Sequence, residues 1–433
     1  MANDWRDASL GDLIRLQRGH DLTDSQREAG NIPVMGSAGQ NGFHNISKAK
    51  GPGLVIGRSG ASFGKVHYSA VDYWPHNTAL YVTDFLGNDE FFTFYFLRTI
   101  DFSSYNSGSA QPSLNRNHIY LMPVKIPTLP EQKVIAHILG SLDDKIELNR
   151  RMNATLEGIS RALFKSWFVD FDPVIDNALA AGNPIPEEFA ARAETRRDVP
   201  NPGNNISNHW KLFPDSFQPS ELGPIPSGWS VQAIESLCDV LTSGGTPARM
   251  NKAYWEPATI PWFKTGELFD GPLIDAKEKI SEAGLANSSC KLWPAGTVLF
   301  ALYASPTVGR FGVLTKPGTA NQAAAALIAK SAYGVPFLVG LLFKARAELQ
   351  RVAVGAAQQN INQGVLKNHI VIVPPPQLAK AYSDRAAPLF ERRVKLAEQS
   401  RTLSSLRDTL LPKLISGELR IEDAEKLAEE AMS

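Results

Sequence analysis

The side chains best suited to chemistry in this sequence are basic and polar ones set in short Gly-, Ser- and Asn-rich stretches. Arg58, Ser59 and Lys65 lie in GRSGASFGKV, and Ser109, Gln111, Asn115 and Arg116 in SSYNSGSAQPSLNRN. Thr246, Arg249 and Lys252 lie in TSGGTPARMNKAYW, Lys264 in PWFK, Arg310 directly after Gly309, and Gln358, Gln359 and Asn362 in VGAAQQNIN. Arginine reads guanine bidentately, Asn and Gln read adenine, Lys and Ser grip phosphate, and small neighbours let a backbone approach. Such stretches also serve as plain solvated loops, and for any single residue among these that reading stays open.

Covalent, metal and cofactor chemistry find no pattern to rest on. The sequence holds no GxxxxGK[ST], HExxH or GxSxG, and no Asn-Pro-Pro-aromatic tetrapeptide of amino-methyltransferases. GPGLVIG at Gly51 has the wrong glycine spacing for a dinucleotide loop and precedes a strand, so it reads as a turn. The eight histidines lack metal-ligand spacing. His118 and His369 fall at matching places in a repeat described below, which points to a shared structural hydrogen bond. Cys238 and Cys290 cannot make a Cys-x-x-Cys pair or a four-ligand zinc site and read as small core residues. A non-catalytic chain without a cofactor or metal of its own is expected.

Residues of 433 in number are enough for two or three cores. The N-terminus MANDWRDASLGDL lacks a signal-peptide pattern and no run of 18 apolar residues exists, so a cytoplasmic protein with no membrane segment is expected. The formal net charge is zero, which taken whole argues against a nucleic-acid partner. Counted by segment the charge divides. Residues 1–172 carry 17 basic and 18 acidic side chains, 173–226 carry 4 and 7, 227–417 carry 21 and 13, and 418–433 carry 2 and 6. The two acidic pieces look like a connector, with nine prolines in 173–226, and a tail.

An internal repeat organises the rest. GSAQPSLN at Gly108 aligns with GAAQQNIN at Gly355, with Leu114 facing Ile361, and NHI recurs at Asn117 and Asn368. Upstream, Trp5 and Trp229, Leu13 and Leu237, the Ile32-Pro33 and Ile260-Pro261 steps, and the Gly64-Lys65 and Gly309-Arg310 pairs fall in the same order. Short Val-, Ile- and Tyr-rich runs predict strands over 13–17, 54–57, 65–68 and 79–83, and over 237–241, 297–302 and 324–328. A helix is expected over 90–100 in one copy and 336–350 in the other.

Each copy closes in a long amphipathic helix. In the first, Ile135, Ile138, Leu142, Asn149, Met152, Leu156, Ile159 and Leu163 occupy heptad a and d positions. In the second, Tyr382, Leu389, Leu396, Leu403 and Leu410 recur every seven residues, joined by Leu406. Two such stripes can bury each other as an antiparallel coiled coil whose Asn149 fixes the register; packing of each helix on its own domain is the other solution. A helix of about 38 residues is roughly 57 Å long, about 17 base pairs of duplex. Pro388 should kink the second helix or delay its start.

LPEQKVIAHILGSLDDKIELNRRMNATLE from Leu129, LFPDSFQPSELGPIPSGW from Leu212, LLPKLISGELRI from Leu410 and the paired GSAQ and GAAQ segments resemble the specificity subunits of type I restriction-modification systems. The resemblance implies an α+β chain of two tandem target recognition domains, mixed β-rich globules in pseudo-twofold arrangement, separated by two long helices in an antiparallel coiled coil. The boundaries expected are 1–129 for the first domain, 130–172 for its spacer helix, and 173–226 for the connector. The second domain follows at 227–376, its helix at 377–418 and the acidic tail at 419–433. It further implies that each domain reads half of a bipartite double-stranded DNA site. The helices would dock two methyltransferase subunits, which bind S-adenosylmethionine and methylate adenine, while motor-nuclease subunits use ATP and Mg. PEQK at Pro130 fits the family, whereas PPQLAKA in the second copy lacks the Glu-Gln pair and makes equal docking of both methyltransferases less assured. An adaptor that recruits no methyltransferase, and an enzyme of unrecognised type, remain the alternatives.

Overall fold

The computed structural model describes residues 5–106, 113–197, 210–303, 306–354 and 361–432. The chain divides into two compact units, Met1–Leu148 with Ser400–Ser433, and Asn149–Gln399.

The first unit runs β1 (Arg6–Ser9), β2 (Arg15–Arg18), β3 (Ile32–Gly36), β4 (Gly39–His44), β5 (Gly53–Gly57), β6 (Val66–Ser69), β7 (Trp74–Pro75) and β8 (Ala79–Asp84). Helices α1 (Glu90–Thr99) and α2 (Arg116–Ile119), strand β9 (Pro123–Ile126) and helix α3 (Leu129–Phe168) follow. Strands pair in the order β2-β8-β5-β6 and β4-β3-β7, and β1 pairs with β9. GLVIG is central to its sheet and buried along its whole length, which is why it reads as an unbroken apolar run. Asp89 caps α1 by accepting from the Phe92 amide, and Phe92, Tyr95 and Phe96 then pack with Leu54, Ile56, Leu80 and Val82.

The second unit opens with α4 (Asp172–Ala181), α5 (Ala190–Arg197) and the small hairpin of β10 (Phe217–Gln218) and β11 (Ile225–Pro226). Then come β12 (Ser230–Ala233), β13 (Cys238–Ser243), β14 (Ile260–Phe263), β15 (Gly271–Leu273), β16 (Glu278–Ile280), α6 (Glu282–Ala286), β17 (Val298–Ala301) and β18 (Phe311–Leu314). After these lie β19 (Thr319–Ala320), β20 (Ala324–Ala329), α7 (Val335–Val354), α8 (Gln363–Asn368), β21 (Ile370–Val373) and α9 (Pro376–Ser416), while α10 (Ile421–Met432) belongs to the first unit. Pairing repeats that of the first unit: β12 with β21, β16-β14-β19 including one parallel pair, and β13-β20-β17-β18, extended by an added strand, β15. The duplication legible in short motifs is therefore a duplication of topology.

The two long helices pair within each unit. In the second, Asn149 Nδ2 donates to Gln399 Oε1 at 3.0 Å, Arg393 Nη2 to Glu157 Oε2 at 2.8 Å, and Tyr382 Oη to Ser160 O at 3.2 Å. One helix ascends as the other descends, so they are antiparallel. In the first, Ile135, Ile138, Leu142 and Ile146 share a core with Leu403, Leu410 and Leu414, and Arg407 bridges to Asp143. The buried Asn149, Leu396, Leu403 and Leu410 stand where the heptads place them, with Leu156, Leu163 and Leu389 half-buried.

Half of the first helix's pattern differs from expectation. Ile159 is 49% exposed and Met152 only half-buried. The seam pairs 135, 142, 149, 156 and 163 with 139, 146, 153, 160 and 167, four residues on rather than three. Ile138 is buried beside it, packed in the head. Asn153 and Ser160 sit at seam positions, and their polarity shifted the apparent stripe onto Met152 and Ile159. In α9 the same offset puts Arg407 in the seam beside a half-buried Leu406. The helix starts at Pro376 and runs unbroken through Pro388, which is exposed.

The expected connector and tail carry structure. Arg192 grips Asp172 at 2.7 and 2.8 Å, and Arg196 bridges to Asp176, tying α5 to α4. The Asp172 carboxyl is raised by burial, but the bonds from Arg192 and Ser166 outweigh this and hold it below the ordinary range. In α10, Ala424 and Ala428 form a small-residue face buried in the first core. Among the described residues no helix is long and apolar enough to cross a membrane.

Candidate nucleic-acid interface

In each unit several candidate residues gather at one hairpin. Gly64 N donates to Gly57 O at 2.8 Å and Gly57 N to Lys65 O at 2.8 Å. In the second unit Gly309 N donates to Ala301 O at 3.0 Å and Ala301 N to Arg310 O at 2.8 Å. Both glycines hold left-handed φ values, +75° and +82°, so the Gly-basic pair is a turn in which glycine supplies the conformation and the next residue projects a cation. The following stretches also correspond: Leu114 N donates to Arg58 O, and Ile361 N to Leu302 O, each at 2.9 Å.

The first unit thus gathers Arg58, Ser59, Asn115 and Arg116, with Ser59 bridged to Ser113. Arg58 Nε donates to Asn77 O at 3.3 Å; burial first, and then Arg18, lower its guanidinium pKa, against the pull of Asp21. A partly desolvated cation beside a second cation favours an incoming anion. Lys65 is exposed and lines an open cleft of about 430 Å³ with His67, Arg98 and Ser103. Burial pushes the His67 imidazole pKa down, and its Nε2–H donates to Ser37 O at 3.1 Å.

Two matched residues are occupied by the fold. Asn115 Oδ1 accepts from Asn117 N at 3.0 Å and Asn362 Oδ1 from Val365 N at 2.8 Å, capping α2 and α8. A bidentate grip on adenine uses that oxygen as well as the amide nitrogen, so each Oδ1 would have to serve the cap and a base through its two lone pairs. Arg116 Nη1 donates to Leu16 O at 3.1 Å, and Gln363 Nε2 to Leu241 O at 3.0 Å, so this arm of Arg116 is an anchor and the remainder of its exposed guanidinium faces outward. Ser109, Gln111, Gln358 and Gln359 lie outside the described residues.

The second unit adds a cluster without a counterpart. The Arg249 guanidinium lies 3.9 Å from the Trp255 ring centroid and 4.7 Å from that of Trp262. Glu278 accepts from Arg249 Nη1 at 2.5 Å and pairs with Lys264; the Lys264 bond, then that of Arg249, hold its carboxyl below the usual range against burial. Thr246 Oγ1 donates to Gln322, Lys252 is exposed, and Arg310 lies 5.8 Å from the Phe269 ring centroid. Glu278, Trp262 and Phe269 escaped sequence reasoning; the tryptophan spacing around Arg249 was the available signal, while an acid in DAKEKI gives none.

Other residues resolve more simply. Cys238 and Cys290 are free and buried, and burial pushes the Cys238 thiol up to about 12, the direction of an inert core thiol. His118 is exposed within α2, whereas His369 ends α8 half-buried, its Nε2 3.4 Å from Glu348; the expected shared hydrogen bond is absent among the described residues. Glu131 accepts from Thr128 N and Oγ1, and Gln132 is 2% exposed, bonded to Asn88, Asp89 N and Pro127 O. The Glu-Gln pair is thus bonded within the first head at the start of α3.

Residues 2–158 and 226–396 match the family model of the type I restriction modification DNA specificity domain. Over 334 residues the chain is 29% identical to the type I restriction enzyme HindI specificity subunit of Haemophilus influenzae, covering 71% of each. It is 26% identical over 341 residues to the MjaIX specificity subunit of Methanocaldococcus jannaschii, covering 77% of this chain and 69% of that one. Among solved structures, the type I restriction-modification S subunit from M. genitalium matches with a TM-score of 0.58 at 16% identity, over 95% of this chain and 96% of that one. That likeness is one of fold.

Proposed function

The chain belongs to the type I restriction modification DNA specificity family, and from that membership we propose that its two heads each read one half of a split duplex site for partner subunits that carry the chemistry. The observation that carries this is duplication with divergence. Topology, hairpin turns and helix caps repeat, while the side chains they present differ: Arg58 is replaced by the buried Leu302, Lys65 by Arg310, and the Arg249–Glu278–Lys264 cluster occurs in the second unit alone among the described residues. Two scaffolds alike in fold and unlike in surface suit two different half-sites, so the full site is asymmetric.

The partners proposed are two methyltransferase subunits, docked along α3 and α9, that bind S-adenosylmethionine and take the target adenine out of the duplex, and motor-nuclease subunits that use ATP and Mg. The specificity chain itself holds no cofactor in this reading. Methylome sequencing of cells carrying the complete operon tests it. Adenine methylation at a split motif with a fixed gap is expected; one contiguous motif, or none with active partners, overturns it. Purification of the chain with no methyltransferase attached favours an adaptor that acts alone.

A further inference from the structure

We propose that Phe269 is an aromatic wedge that enters one base step of the half-site read by the second head, with Arg310 meeting the adjacent phosphate; this rests on the DNA-reading function above. The Phe269 side chain is 70% exposed, while Leu268 beside it is fully buried. No other large apolar side chain of its own loop is exposed.

Its mount is far more rigid than a solvated loop requires. Asp270, the next residue, holds a left-handed φ of +63°, uncommon for a residue with a side chain though Asp adopts it more readily than most. Arg346 clamps both carboxylate oxygens, at 2.9 and 2.5 Å. Asp270 N donates to Phe311 O at 2.7 Å, Phe311 N to Asp270 Oδ1 at 3.1 Å, and Arg393 Nη2 to Asp270 O at 3.2 Å. Arg393 is itself 7% exposed and bonded to Glu157. Five hydrogen bonds from α7, α9 and the start of β18 therefore fix the backbone turn that presents the ring, so little backbone freedom is left to lose on insertion.

The charge beside it is of the matching sign. Arg310 lies 5.8 Å from the ring centroid and, unlike Arg249 and Lys264, has no carboxylate partner among the described residues. An apolar wedge with a free cation at its flank is what unstacking a base step calls for, the ring replacing base–base contact and the cation neutralising the phosphate. The segment carrying Phe269 also leads into β15, the added strand. In the first head β3 turns into β4 through Ser37 and Ala38 alone. The distortion is accordingly confined to one half-site.

The test uses the assembled complex and duplexes bearing its methylated motif, with 2-aminopurine placed in turn at each position of both half-sites. The expected result is a rise in fluorescence at one step of one half-site, separate from the methylated adenine. Phe269→Ala removes that signal and weakens binding about 10-fold, whereas Phe269→Trp keeps both. Unchanged signals and affinity in Phe269→Ala overturn the wedge while leaving the split-site reading intact. Loss of methyltransferase co-purification in Phe269→Ala, with the DNA signal unaltered in the complex that remains, overturns it in favour of a protein contact. Absence of sequence-specific binding by the wild-type complex removes the underlying reading as well.

Discussion

At the scale of single residues, the interface is decided by which cations already have a carboxylate. Glu278 engages both Arg249 and Lys264, so two candidate phosphate or base contacts share one compensating charge and are held in a fixed pose against Trp255 and Trp262. We expect Glu278→Gln to remove the compensation, raise DNA affinity at low salt, and steepen the slope of log K against log salt by about one. Fluorescence anisotropy across a salt series measures this, and an unchanged slope would place the cluster away from DNA. Residue types and loop composition made Arg249 visible in the sequence, but Glu278 became visible only when β16 was laid beside β14. Asn115 and Asn362 illustrate the reverse case. Their recurrence in the two copies signals a shared role, and the structural part of that role is to cap a helix, which accounts for the recurrence without a base contact.

At the scale of elements, most of the fold was legible because period and repetition survive low identity: β2, β5, β8, β13, β17 and β20 lie where apolar runs predict them, within a residue or two. The seam of the long helices was half legible. Leucines at every seventh residue mark one of its two rows; the other holds Asn153 and Ser160 in α3 and Arg393 and Arg407 in α9, which no apolar pattern reveals. The buried Asn149, bonded to Gln399, is the testable case. Gln399→Leu strands the Asn149 amide in the seam and should destabilise the chain by about 1–3 kcal/mol, whereas adding Asn149→Leu should restore or exceed wild-type stability. The double variant should pay in register instead, since a buried polar pair disfavours slipped alignments. Calorimetry gives the first effect and disulfide trapping between staggered cysteine pairs the second; equal stability of the single and double variants would show that no stranded-amide penalty exists, and an unchanged trapping pattern that the pair does not set the register.

At the scale of the whole molecule, the zero net charge is a cancellation between acidic segments and an excess of 21 basic over 13 acidic side chains in residues 227–417. Structure sharpens what that excess can do. Of the seven candidate cations, Arg249 and Lys264 are compensated, while Arg58, Lys65, Arg116, Lys252 and Arg310 have no carboxylate within ion-pair distance among the described residues. If all five met phosphates, log K would fall with log salt at a slope of about −4.5, a loss of roughly 500-fold between about 50 and 200 mM salt. That is a salt-sensitive grip, and the proposed function expects the partner subunits to supply further phosphate contacts. The purified chain should therefore bind its own split site loosely and lose it by about 200 mM salt, while the assembled complex shows a steeper slope from added contacts and still holds the site there. Tight binding by the isolated chain at that salt, or identical slopes with and without the partners, would mean that the specificity chain supplies the grip itself through cations outside the candidate set.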